Sequence, residues 1–199
     1  MFSFNAYADC YKEYLKEAST NNFEKAIKIC TPLAQNGDVW SQEILGGIYY
    51  RIENYKEAFN WRKKAAEQGF APAQNSLGYM YERGEGTLKD YKQAVNWYRK
   101  SAQQGNTAAQ NNMGFMYEMG RGVLKDYKAS ASWYQKAADA GSATAQVNLG
   151  YYYCYGTGVD KDLAMSKTLL LEAYESGDLS ANQLDWVEGI WERCELANY

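Results

Sequence analysis

The chain has 199 residues, 46% of them hydrophobic and 16% aromatic, and a net charge of −3. That composition argues against a chain disordered throughout, and the mildly acidic balance without a Lys/Arg block against a nucleic-acid binder. There is no histidine, which removes His-based triads, His-ligated zinc and the commonest general base near neutral pH.

In chain order, residues 4–18 read as a degenerate first helix. The N-terminus shows no basic leader and no long apolar run, and Asp9 directly before Cys10 argues against a lipoprotein cleavage site. No stretch approaches transmembrane length. The expectation is a cytoplasmic protein without membrane insertion. Residues 22–37, "NFEKAIKICTPLAQNG", match the second helix of a pair, with Pro32 expected to kink or locally break it. Cys10, Cys30, Cys154 and Cys194 are far apart and form no zinc spacing; they read as free thiols in a reducing compartment.

From Gly37 onward the chain repeats. Gly69, Gly105, Gly141 and Gly177 are 36 residues apart, as are Gly78, Gly114 and Gly150, and Trp61, Trp97 and Trp133. A fixed period of this size is the mark of a stacked repeat. The copies run over 37–68, 69–104, 105–140 and 141–176, after a degenerate copy at 1–36, and residues 177–199 lose the register as a cap would. Each copy reads as two helices. The first carries A-x-A-Q-x-x-L-G-x-x-Y, with Ala73, Leu77 and Tyr81 on one face. The second carries Ala94, Trp97 and Ala102 on an apolar stripe and closes on a glycine suited to a left-handed C-cap.

The Gly-x-Gly at Gly84 and Gly86, followed by Lys89, has the look of a phosphate loop, but no strand precedes it and no third glycine follows. The first full copy lacks four residues there, so the loop reads as a helix exit. Asn22, Asn54, Asp90, Asp126 and Asp162 then stand at one phase as N-caps, with capping boxes expected at Asn54/Glu57 and Asp90/Gln93. Gly78, Gly114 and Gly150 inside helices each cost about 1 kcal/mol relative to alanine, so a close helix approach is expected at them. Ala58, Ala94 and Ser130 mark the same approach on the second helix, and the tryptophans are expected as large knobs between repeats.

The copies "APAQNSLGYMYERGEGTLKDYKQAVNWYRKSAQQG" and "TAAQNNMGFMYEMGRGVLKDYKASASWYQKAADAG" resemble the Sel-one-like repeat family, a branch of the tetratricopeptide-like solenoids. The resemblance covers about residues 22–177. It implies an all-α, right-handed α/α superhelical solenoid acting as adaptor or scaffold. Some secreted members carry a disulfide in each repeat and are linked with β-lactam binding. Here the cysteines do not follow the repeat and no Ser-x-x-Lys occurs, so that activity is not expected.

In helical solenoids the first helix of each pair lines the concave face. The positions expected there are Trp40, Glu43, Gly47, Tyr50 and Arg51 in the first full copy, and Asn75, Tyr79, Glu82 and Arg83 in the second. Asn111, Phe115, Glu118 and Met119 follow in the third, and Val147, Tyr151, Cys154 and Tyr155 in the fourth. Aromatic platforms with a few charges suit a protein-binding surface. The expected function is a non-enzymatic, cofactor-free and metal-free module that binds another protein or peptide. One finer version is a cytoplasmic immunity protein that neutralises a toxin or effector. The rival from another class is a hydrolase using Glu82 and Glu118 as paired carboxylates.

Overall fold

The computed structural model describes residues 4–18 and 22–198, and among these there are eleven α-helices, one short 3-10 helix and no strand. The helices are α1 (Phe4–Ala18), α2 (Glu24–Gln35), α3 (Val39–Arg51), α4 (Tyr55–Glu67), α5 (Ala71–Arg83), α6 (Tyr91–Gln103), α7 (Thr107–Met119), α8 (Tyr127–Asp139), α9 (Ala143–Tyr155), α10 (Leu163–Glu175) and α11 (Ala181–Arg193), with Leu196–Asn198 closing the chain. The expected all-α repeat solenoid class is what the chain adopts. Its helices pack as two compact units that meet in sequence at Gln104/Gly105, itself a repeat boundary.

In the first unit α3/α4 and α5/α6 are hairpins, α2 stacks on α3, α4 on α5, and α1 lies on both α2 and α3. In the second, α7/α8 and α9/α10 are hairpins, α8 stacks on α9, and α11 lies on α9 and α10. Helices of 13 residues are too short to persist alone in water, so the buried faces hold them. Leu45, Ile48 and Trp61 join Phe23, Leu33 and Cys30 in one cluster, and Leu77 joins Ala65, Ala66 and Ala73 in the next, where Trp97 packs. Full burial of one such leucine or isoleucine contributes about 1.5–3 kcal/mol.

Trp61 is buried in that first cluster, but two of the three tryptophans pack less deeply than their phase implies. Trp97 and Trp133 are half-buried under Lys100 and Lys136, whose ammonium groups sit 4.1 and 4.3 Å from the ring centroids. The fully buried aromatic knobs are their neighbours Tyr98 and Tyr134.

The A-x-A-Q motif is explained by its glutamine. Gln42 donates to the Ala34 carbonyl at 2.9 Å and accepts from Gln68 at 2.8 Å; Gln74 does the same with Ala66 at 3.1 Å and Gln104 at 2.8 Å. One buried amide thus satisfies the C-terminal carbonyl of the preceding hairpin and locks the end of its own.

The loop expectation holds. Gly84 ends α5 in the left-handed conformation, and a Cβ on Gly86 would collide with the Tyr55 carbonyl of the preceding copy. In the shortened first copy Glu53 takes the left-handed conformation instead, with φ 61°.

Several sequence expectations need correction. Asn22 is not the N-cap of α2; Phe23 is, and Asn22 Oδ1 accepts from Glu24 N one position earlier. Asn54 and Asp90 do cap α4 and α6, but their own N–H groups donate to the carbonyls of Tyr49 and Tyr81, so Glu57 and Gln93 have no capping-box donor to meet. Pro32 does not break α2, which runs on through Gln35. Most consequentially, the cysteines are not free thiols. Cys10 pairs with Cys30 and Cys154 with Cys194, at Cα separations of 5.0 and 6.1 Å. Spacing concealed this because each bond ties a terminal segment to a helix packed beside it, not one repeat element to its equivalent.

Candidate functional site: the first-helix face

In the first unit the expected face is partly exposed and partly consumed by structure. Trp40 is 50% exposed and meets the Phe70 ring edge-on at 4.5 Å. Tyr79 is 38% exposed, with the Arg83 guanidinium 5.8 Å from its centroid. Glu43 is half-buried and accepts from the Ser76 hydroxyl at 2.9 Å. Burial pushes its carboxyl above the usual range, against the opposing pull of Arg62 and Ser76. Tyr50 lies with its ring 4.8 Å from the Arg62 guanidinium, and burial followed by contact with Glu85 pushes its phenol up. Arg51 donates to the Ala18 carbonyl at 3.0 Å and covers Phe23, holding the end of α1 to α3. Asn75 is half-buried and Arg83 exposed.

In the second unit Asn111 donates to the Ser142 hydroxyl at 2.7 Å, Phe115 lies under the Arg121 guanidinium at 5.0 Å, and Met119 is 49% exposed. The fourth copy departs from expectation. Val147 is fully buried and Cys154 is in a disulfide, so neither is a contact residue. Tyr151 meets Trp186 of α11 at 5.9 Å and Tyr155 at 4.6 Å. The chain's own last helix covers this part of the face, with Val187 and Ile190 in the same cluster as Val147.

The two carboxylates of the hydrolase reading are structural. Glu82 accepts from the Tyr98 hydroxyl at 2.9 Å, and Glu118 from that of Tyr134 at 2.8 Å. Burial first, then the neighbouring carboxylate, raises both phenols, which stay protonated donors.

Sequence reasoning missed the second-helix partners. The gap over one glycine in each first helix from α3 to α9 admits one side chain from the second helix: Arg62 over Gly46, Tyr98 over Gly78, Tyr134 over Gly114, Leu170 over Gly150. The residue four after each glycine matches it chemically. Tyr50 stacks with Arg62, Glu82 and Glu118 bond Tyr98 and Tyr134, and Cys154 shares an apolar cluster with Leu170. This paired variation between copies is visible in the sequence and was the available signal.

Against known proteins, a sequence model of the Sel1 repeat matches residues 43–70, 71–106, 107–142 and 143–178, well over half of the chain. The chain belongs to the Sel1 repeat family. Sel1 repeat proteins generally mediate protein–protein interactions. A protective antigen of uropathogenic Escherichia coli with an SLR fold is 32% identical, superposes with a TM-score of 0.79, and is matched over 87% of this Sel1 chain and 38% of its own. A Sel1 repeat protein from Oxalobacter formigenes is 34% identical with a TM-score of 0.73, over 83% and 70%. Cysteine rich protein B of Helicobacter pylori is 25% identical with a TM-score of 0.52, over 62% and 91%. Among curated proteins, the ERAD-associated E3 ubiquitin-protein ligase component HRD3 of Candida glabrata is 36% identical over 65 residues. That match spans 33% of this chain and only 8% of HRD3.

Proposed function

We propose that this Sel1 chain is a non-enzymatic module that binds another protein or peptide through the exposed aromatic part of its first-helix face, with Trp40 and Tyr79 foremost. The seat of α11 carries the proposal. In the fourth copy the same register is occupied by an amphipathic helix whose apolar residues Val187 and Ile190, with Cys194 at its C-cap, fall at i, i+3 and i+7. Tyr151, the register equivalent of Tyr79, meets Trp186 of that helix. A face that seats a helix in one copy and is left open in another has the form of a recognition surface. Its working compartment is an oxidising one, because all four cysteines are paired and such bonds do not persist against cytosolic reductants. This removes the support for a cytoplasmic immunity protein, and no observation favours that version over binding of another partner.

The test is affinity purification from the source cells with wild-type, Trp40→Ala, Tyr79→Ala and Leu88→Ala baits, followed by direct titration with the recovered partner. Leu88 is 88% exposed in the loop between α5 and α6 and serves as the off-face control. Binding weakened at least tenfold by the first two variants and unchanged by the third is expected. Unchanged affinity in Trp40→Ala and Tyr79→Ala, with native circular dichroism, removes this face from the interaction.

A further inference from the structure

Gly46 and Gly47 stand side by side in α3, and only one of them is explained by packing. A Cβ on Gly46 would collide with Arg62, whereas a Cβ on Gly47 meets nothing within 4 Å. At the register of Gly47 the later copies carry Tyr79, Phe115 and Tyr151, an aromatic ring each time. In the first full copy that ring is missing, and α3 holds in its place a glycine that weakens the helix and that no neighbour requires.

Gly47 borders a cavity of about 490 Å³ between α1 and α3 of the first unit, walled by Tyr11, Tyr14, Trp40 and Ile44. The volume is that of a ligand pocket. Its walls can be reached from outside, since Trp40 is 50% exposed and Tyr11 43%. Two of the walls are steadied by ring contacts of their own, Tyr14 stacking with Phe23 at 6.1 Å and Trp40 meeting Phe70 at 4.5 Å. Walls held in place in this way lose little freedom when a ligand enters.

Charge selects the occupant. Glu43 and Arg62 also border the cavity, with opposite charges 3.6 Å apart that offset each other toward an entering group. Glu43 Oε2 and Arg62 Nε are sealed from the surface, so neither offers that group a hydrogen bond. A Lys, Arg, Asp or Glu side chain would give up its hydration there without a counter-charge. An aromatic ring needs no counter-charge, and edge-to-face contact with Trp40, Tyr11 or Tyr14 favours it over an aliphatic chain. We propose that this cavity seats an aromatic side chain of the partner protein, a phenylalanine or tyrosine, in the space that Gly47 leaves open. The assignment rests on the protein-binding reading above and adds the chemistry of its anchor.

The cavity can be filled from within. Gly47→Phe supplies the ring from α3 itself, and Gly47→Leu is a smaller filler with less risk to the fold. The measurement is fluorine NMR of chain labelled with 5-fluorotryptophan, the Trp40 signal being assigned from Trp40→Phe. Probes are acetyl-Ala-X-Ala-amide peptides with X as Phe, Leu, Lys or Glu, whose common backbone isolates the side chain. Expected is a dissociation constant at least fivefold lower for Phe than for the other three on the wild type. Binding of the Phe peptide should weaken at least tenfold in Gly47→Phe and at least threefold in Gly47→Leu. Equal or tighter binding of the Leu, Lys or Glu peptide to the wild type, no response of Trp40 to the Phe peptide, or unweakened binding by a filled variant with native circular dichroism overturns the assignment. If Gly47→Phe binds the recovered partner as the wild type does while Trp40→Ala and Tyr79→Ala lose it, the aromatic anchor falls and the protein-binding reading stands. If the Phe preference holds while those two variants keep full partner binding, the protein-binding reading falls and the aromatic site stands.

Discussion

The Tyr98 hydroxyl donates to the Glu82 carboxylate at 2.9 Å across the gap that Gly78 leaves in α5. An acid expected as a contact residue is thus part of the hairpin's interior bonding. Tyr98→Phe removes the phenol donor from a half-buried carboxylate, and a loss of about 1–3 kcal/mol in urea unfolding is expected. Adding Glu82→Leu should recover part of that loss, because the desolvation penalty leaves with the charge. Equal stability of Tyr98→Phe and wild type would show that water serves Glu82 as well as the phenol does.

Two glycines on first helices should respond in opposite directions to alanine. A Cβ on Gly78 would stand 2.7 Å from the Tyr98 ring, and that ring is fully buried and cannot withdraw. Overpacking of about 1–3 kcal/mol outweighs the helix-propensity gain of about 1 kcal/mol, so Gly78→Ala should lower the melting temperature. At Gly47 a Cβ meets nothing within 4 Å, and Gly47→Ala should raise it. Differential scanning fluorimetry of the two variants decides the point.

Glu43 should impose a pH signature. Its folded-state pKa is raised, chiefly by burial. The contribution is favourable while the carboxyl is protonated, fully present below the unfolded pKa of about 4.3, and lost as pH rises through the folded pKa. Glu43→Gln should therefore match the wild type in acid and gain on it toward neutral pH. Parallel stability curves from pH 4 to 8 for the two proteins would contradict the raised value.

The disulfides close spans of 20 and 40 residues. Chain entropy assigns them about 3 and about 4 kcal/mol. Unreduced protein should take up no iodoacetamide in denaturant, and reduced protein four equivalents by mass spectrometry. After reduction, hydrogen exchange should rise first in α1 and α11, while α5 and α6 keep their protection. Uniform loss of protection would mean that the staples stabilise the whole array.

Trp186 should be the anchor that keeps α11 on its seat. Trp186→Ala removes the ring facing Tyr151 and should cost about 1–3 kcal/mol, measured as faster exchange in residues 181–193. Unchanged exchange there would mean that the Cys154–Cys194 bond, the Val187/Ile190 contacts and the Gln183–Thr144 hydrogen bond hold the helix without the ring.

Much of the architecture follows from local chemistry that a single sequence displays. Glycines at residues 69, 105, 141 and 177 can terminate helices because their positive φ costs nothing, Asp90, Asp126 and Asp162 cap because their carboxylates reach N–H groups two or three residues on, and Ala73 and Leu77 are buried because a 3.6-residue period gives them one face. The period between copies then determined the all-α repeat class. What fills the gap over Gly46, Gly78, Gly114 and Gly150 is not set by the helix that carries the glycine, because the filler comes from the other helix of the hairpin, and a face drawn from one helix alone counts Glu82 and Glu118 as contact residues. The pairing of four scattered cysteines, the withdrawal of Val147 beneath α11 and the meeting of Glu43 with Arg62 are likewise contacts between elements distant in sequence. Their spacing follows no period, and only packing in three dimensions brings them within reach of one another.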